Sequence, residues 1–139
     1  DGPLRGLLET DLRHCSWVHF LGVRKERDLA RIASAACLVV NPGLVGLAVI
    51  DSFALGLPMV TCVLPNHGPE IDYLVPDVNG VLLPAGSSVE DFVDRIEELL
   101  RSPHDLAVLR EGCLRSAQKY TVENMVNNFS DGVVQCLDR

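Results

Sequence analysis

Aromatic residues are scarce: one Trp, two Tyr and four Phe make up 5% of the 139 residues. So few rings leave little with which to stack nucleic-acid bases. Basic residues are also in the minority, with 12 Lys and Arg against 19 Asp and Glu and a formal net charge of −7. A nucleic-acid-binding domain would carry a basic face, so that class of partner is excluded. The five cysteines, at 15, 37, 62, 113 and 136, form no CxxC pair, and no Cys/His cluster has zinc-ligand spacing. No structural metal is therefore expected. Reduced thiols packed in the core of a cytosolic protein are the expected use of these residues. No apolar run reaches the ~20 residues of a membrane-spanning helix. The nearest, Ala35–Ile50, is broken by Asn41 and Pro42 and ended by Asp51. No charged-then-apolar leader stands at the start, so no signal peptide is expected. Repeats, low-complexity tracts and linkers are missing too, which gives one domain over 1–139.

What is present is a chain that folds. With 47% apolar and 22% charged residues it is not disordered. Short apolar runs alternate with amphipathic stretches. After Pro3, LRGLLETDLRHC places Leu4, Leu7, Leu8 and Leu12 on one helical face. WVHFLG (17–22) reads as a strand, ERDLARIASAA (26–36) as a helix, and CLVVNP (37–42) as a strand buried on both faces. GLAVIDSFALG (46–56) is a helix between glycines, and PMVTCVLP (58–65) a buried strand between prolines. A polar loop, NHGPE (66–70), leads into a short turn of helix, and VNGVLLP (78–84) is a strand after an Asn-Gly turn. Ser87 or Ser88 caps VEDFVDRIEELLRS, Pro103 opens a helix to about Lys119, and Thr121 caps a last helix with an apolar stripe. The pattern is α/β: a Rossmann-like parallel sheet of about four strands, helices on both faces, and further helices at the C-terminus.

Ligands of open α/β sheets bind beyond the carboxyl ends of the strands. The turn Pro42-Gly43-Leu44-Val45-Gly46 leaves a strand and enters a helix with no capping side chain, so its backbone amides can form an anion site. Five residues further on, Asp51 interrupts an apolar face and can accept hydrogen bonds from a ribose; a solvated helix position explains it as well. Arg24 and Lys25 fit either a phosphate contact or a solvated helix start. His67 is a cleft-lining or a surface histidine, and Glu70 either lines the cleft or caps the short helix after Gly68. Cys37 and Cys62 read as core thiols, and His14, His19 and His104 as incidental.

In order along the chain, VHFLG (18–22), LVVNPGLVGLAVIDSFALGLPMVT (38–61) and HGPEIDYLVPDVNGVLLP (67–84) resemble the group 1, family 4-like retaining glycosyltransferases. The resemblance is to their C-terminal nucleotide-sugar-binding domain in the two-domain GT-B architecture, and it begins at DGPLR (1–5) and runs through the trailing helices. It implies transfer of a sugar, a hexose in the common case, from a nucleotide diphosphate donor to a glycan, lipid or other acceptor, within carbohydrate biosynthesis. That family has two glutamates around this turn, separated by seven residues. The ribose-binding second one falls on Asp51 and the sugar-contacting first one on Gly43. A subset with PG-x-VGL-x-x-I at the turn is similar to Pro42–Ile50 here. The resemblance places Gly43, Leu44, Val45, Gly46 and Leu47 at the donor phosphate and sugar and Val23 against the base, with no resident cofactor and no metal required.

The family's first strands, its diphosphate-binding Arg and Lys, and its acceptor-binding N-terminal domain have no counterpart in the 139 residues. The chain therefore resembles a fragment of a larger transferase and is expected to be inactive alone, with no catalytic residue assigned. A helix N-terminus contributes at most ~2 kcal/mol to anion binding. Enzymes lower barriers by ~8 kcal/mol or more. A cytoplasmic setting follows, with the full-length protein free to touch a membrane peripherally. Self-association through the open edge of strand 18–22 is a further expectation. Two other functions remain open. One is a non-catalytic nucleotide-sugar-binding or protein-interaction module with the same fold, and the other a sugar-nucleotide epimerase of the same architecture.

Overall fold

A computed structural model describes residues 2–138, and of Glu26 the backbone alone; the opening Asp1 of the DGPLR resemblance lies outside the described residues. The chain divides into two compact units, Asp1–Ile32 and Ala33–Arg139.

In the first unit, α1 (Arg5–Asp11) is shorter than its apolar spacing suggests and buries none of its residues. Arg5 Nε donates to Glu9 Oε1 at 2.7 Å one turn on, an exposed pair of the kind worth ~0.3–0.5 kcal/mol. α2 (Glu26–Ala33) lies in this unit but for its last residue. Residues 17–22 form no strand. Val18 N–H closes a turn onto Cys15 O instead. A strand is a pairing, and among the described residues no neighbour offers this segment its ladder. The self-association expected at that edge loses its structural basis.

The second unit is built on three parallel strands in the order β1 (Val39–Val40), β2 (Met59–Cys62), β3 (Gly80–Leu83). Their register pairs Val39 with Met59, and Met59 in turn with Gly80. The sheet thus has three strands, one fewer than expected. Along β2 the side chains alternate between two cores. Met59 joins Val45, Val49, Phe53, Leu74 and Cys113; Val60 and Cys62 join Val81, Phe92, Leu99 and Leu109. Period-2 alternation of a central strand requires helices on both faces, and α3 (Ala48–Ala54) and α4 (Val89–Arg101) supply them. β1 is not buried on both faces: as the outer strand it has one neighbour, Val40 is 45% exposed, and Cys37 before it is exposed. Of the expected core thiols only Cys62 and Cys113 are buried. Desolvation pushes the Cys113 thiol up to about 12, which keeps it protonated and unreactive.

Local signals set the boundaries. α3 ends in a Schellman motif: Gly56, at φ +63°, follows Leu55, Gly56 N–H reaches Phe53 O and Leu57 N–H reaches Ser52 O. Ser88, not Ser87, caps α4 through a reciprocal box with Asp91, at 3.2 and 2.7 Å. Ser102 and Thr121 cap α5 (Pro103–Lys119) and α6 (Val122–Leu137). No residue of α6 is buried, so its apolar stripe is a surface.

Candidate functional site

The segments that follow β1 and β2 leave the sheet at the same carboxyl edge. After β1, Asn41 Oδ1 accepts the Gly43 N–H at 3.0 Å and shapes the turn. Val45 then anchors it, with its side chain 1% exposed in the core beside Val49. Leu44 and Leu47 turn outward to solvent. α3 begins at Ala48 with Leu47 in the cap position and no side chain capping it. The amides of Gly46, Leu47 and Ala48 have no acceptor among the described residues. They are the orphan donors of a helix start. Val45 does not belong with them, because its N–H goes to His67 Nδ1 at 2.9 Å. Of the turn that the resemblance places at the donor, Gly46 and Leu47 thus keep available amides, and Ala48 joins them.

The loop after β2 closes against this turn. Val45 N–H donates to Nδ1 of His67, so that nitrogen carries no proton and the ring is the neutral Nε2–H tautomer. Nε2–H donates to Cys62 O at 2.8 Å; with the proton pointing there, the Leu64 N–H at 3.2 Å is a contact and not a second bond. His67 is half-buried with both ring nitrogens engaged. Gly68 N–H adds a bond to Val45 O at 2.7 Å. A Cβ on Gly68 would stand 3.2 Å from Gly46 Cα and 2.5 Å from Glu70 Oε2. The two loops meet backbone to backbone, and a side chain at 68 would require Glu70 to move and the Gly46 backbone to give by a few tenths of an ångström.

Two carboxylates mark the mouth. Glu70, at the start of the 3₁₀ turn Pro69–Tyr73, is half-buried, and its Oε2 lies 3.9 Å from where a Cβ would stand on Gly46. Asp51 lies one turn into α3, its N–H bonded to Leu47 O at 3.1 Å, and its side chain is exposed. Neither carboxylate has a hydrogen-bond or ion-pair partner among the described residues. No Lys or Arg occurs in 41–47 or 63–70, so oriented amides are the positive pole of this mouth. Val23 and Arg24 belong to the first unit, both exposed.

A groove of about 420 Å³ adjoins the second loop, lined by Val63, Pro65, His67, Ile71, Asp72 and Leu82 among others. A cavity of about 610 Å³ at the start of α4 is edged by Asp91, Asp94 and Glu98, with Arg95 their one cation. That balance repels a diphosphate. Among the described residues no group of three His, Cys, Asp or Glu side chains is placed to hold a metal ion, and no helix is long and apolar enough to cross a membrane.

The family described as Glycosyl transferases group 1 matches residues 1–102. A comparison with curated proteins found no match. Among solved structures the chain is similar to HepE of Anabaena in complex with UDP, at a TM-score of 0.72 and 20% identity over 94% of this chain and 36% of that one. It is similar to a sucrose-phosphate synthase from Thermosynechococcus elongatus at 0.76 and 22%, over 97% of this chain and 34% of that one. The GtfA/B complex gives 0.76 and 16%, over 99% of this chain and 29% of that one. These likenesses establish the fold, and the chain spans about a third of the length of each of these structures.

Proposed function

Since the chain belongs to the group 1 glycosyl transferases, we propose that it is the donor-binding portion of a retaining glycosyltransferase. It would use a nucleotide diphosphate sugar, with a hexose as the transferred group. The observation that carries this reading is the mouth at the end of β1. There the unpartnered amides of Gly46, Leu47 and Ala48 lead within one turn to the exposed Asp51 carboxylate. Retaining transfer develops positive charge on the sugar and negative charge on the leaving diphosphate. Preorganised amides meet the second charge without reorganising. In this reading they hold the diphosphate and Asp51 takes the ribose hydroxyls, while Glu70 supplies the acidic group at the turn that Gly43 does not. The HepE complex with UDP, on the same fold, supports the ligand class.

The chemistry needs more than this chain holds. No cation stands in the loops at the mouth, and the amides alone contribute ~2 kcal/mol at most. Sugar transfer therefore belongs to a longer protein that brings the acceptor and further positive charge; the chain alone is inactive, and the scheme requires no metal. A cytoplasmic setting, with peripheral membrane contact by the longer protein, is part of the same proposal. Gly43, lacking a carboxylate, favours the second reading, a module that binds nucleotide sugars without turning them over.

Asp51→Ala tests the donor site. A hydrogen bond to a charged group is worth ~1.5–3 kcal/mol, so the loss in affinity for UDP-glucose or a GDP-sugar is roughly tenfold to a hundredfold. Calorimetry on the longest natural chain carrying this sequence measures it. Because Asp51 is exposed and unpaired, stability should change by no more than ~0.5 kcal/mol. Unaltered affinity in the variant would contradict the assignment.

A further inference from the structure

We propose that His67 is a positioning residue of the donor turn, setting the direction of the amides at the entry to α3 by clasping that turn to the loop after β2. The inference rests on the donor-site reading above and assigns the part played by a side chain that does not itself meet the ligand.

The clasp has two independent bonds through one rigid ring. Nδ1 accepts the Val45 N–H at 2.9 Å, and Nε2–H donates to Cys62 O at 2.8 Å. Cys62 is the last residue of β2, in the centre of the sheet, so the ring refers the turn to the stiffest part of the unit. Val45 cannot swing away on its other side, since its side chain is 1% exposed in the core and its carbonyl accepts Gly68 N–H at 2.7 Å. The next amide along the chain is Gly46, the first of the unpartnered set. Glycine has wide conformational freedom, so a fixed peptide immediately before Gly46 is what keeps that amide in one direction.

The two groups being joined are a donor and an acceptor on separate segments. Neutral imidazole offers one of each in a fixed plane. Asparagine can place its carbonyl oxygen near the position of Nδ1 and keep the Val45 bond; phenylalanine fills the space and keeps neither. An imidazolium has two donors, so protonation sets an N–H against the Val45 N–H and opens the clasp.

The test uses UDP-glucose titrations of the longest natural chain carrying this sequence, comparing wild type with His67→Ala, His67→Phe and His67→Asn. Thermal unfolding of each variant is followed alongside. The expected result is an affinity loss of about tenfold in the alanine and phenylalanine variants and recovery of most of it in the asparagine variant. A ring that merely fills space predicts the reverse order, with phenylalanine rescuing and asparagine failing, and that order overturns the proposal. So does wild-type affinity in the alanine variant. If the alanine variant does not fold, the order of the asparagine and phenylalanine variants still decides. If the wild type binds no nucleotide sugar, both the donor-site reading and this role fall. Hydrogen exchange at the Val45 amide, protected in wild type and the asparagine variant and fast in the phenylalanine variant, then shows whether the clasp itself exists.

Discussion

Gly112→Ala is expected to lower the melting temperature by about 10 °C, whereas Gly132→Ala is expected to raise it by a few degrees. Both glycines lie inside helices, where alanine is intrinsically favoured by ~1 kcal/mol. Their surroundings differ. A Cβ on Gly112 would fall 1.7 Å from Val78 O and 2.7 Å from Val78 C, and neither is a flexible side-chain end that can step aside. α5 lies backbone against backbone on 78–79, and one methyl group forces them apart. Overpacking of this kind costs ~1–3 kcal/mol and occasionally more; contact with backbone on this scale belongs at the upper end. Set against the ~1 kcal/mol helix gain, the net loss is ~2 kcal/mol, which at ~2–8 °C per kcal/mol for domains near this size gives a shift of about 10 °C. A Cβ on Gly132 in α6 meets nothing within 4 Å, so only the propensity gain remains. Thermal unfolding followed by circular dichroism of both variants measures the pair. A Gly112→Ala protein as stable as wild type would show that α5 does not dock as closely as described.

The same docking predicts that Asn79→Ala costs ~2–4 kcal/mol. Asn79 is 1% exposed. Its Oδ1 accepts the Val75 N–H at 2.7 Å, and its Nδ2 donates to Tyr73 O and to Ser116 Oγ, each at 2.9 Å. Its carbonyl accepts from the buried Cys113 thiol at 3.0 Å. The residue holds the 73–79 turn together and ties that turn to α5 through the helix face of Gly112, Cys113 and Ser116. Removing the amide takes the partner from the part-buried Val75 N–H and Tyr73 O, and each group left unsatisfied away from water costs ~1–3 kcal/mol. Asn79→Asp keeps the acceptor and loses both donations, so it should also be destabilised while alanine loses all three bonds. Denaturant midpoints of the three proteins measure this. A change below ~0.5 kcal/mol in the alanine variant would mean that water reaches these groups.

Asn79 also shows where reading the sequence stops. Beside Gly80 it looks like a turn signal, and it does precede β3. Its role as a buried hub depends on Ser116, 37 residues away, and nothing local announces that. His67 is the same case, since the amide that it holds is 22 residues upstream. What local chemistry decides was legible: the proline-bounded β2, the Ser88 and Thr121 caps, the Pro103 start and the glycine end of α3. What pairing decides was not. WVHFLG has the composition of a strand but no partner among the described residues. CLVVNP reads as doubly buried, whereas the place of β1 at the edge of the sheet leaves Val40 and Cys37 open. The apolar spacing of α6 is real, yet its stripe faces outward. At the candidate site, the turn and Asp51 could be singled out from the sequence. The diversion of the Val45 amide to a histidine, which leaves Ala48 in the donor set, could not.

The central claim is that a nucleotide diphosphate meets the amides at the entry to α3. Amide-resolved NMR of isotopically labelled protein during titration with UDP-glucose tests it most directly. The account predicts saturable shifts of the Gly46, Leu47 and Ala48 resonances, accompanied by Asp51. Saturation without movement of those resonances, or shifts confined to the carboxylate-edged cavity beside α4, would contradict it.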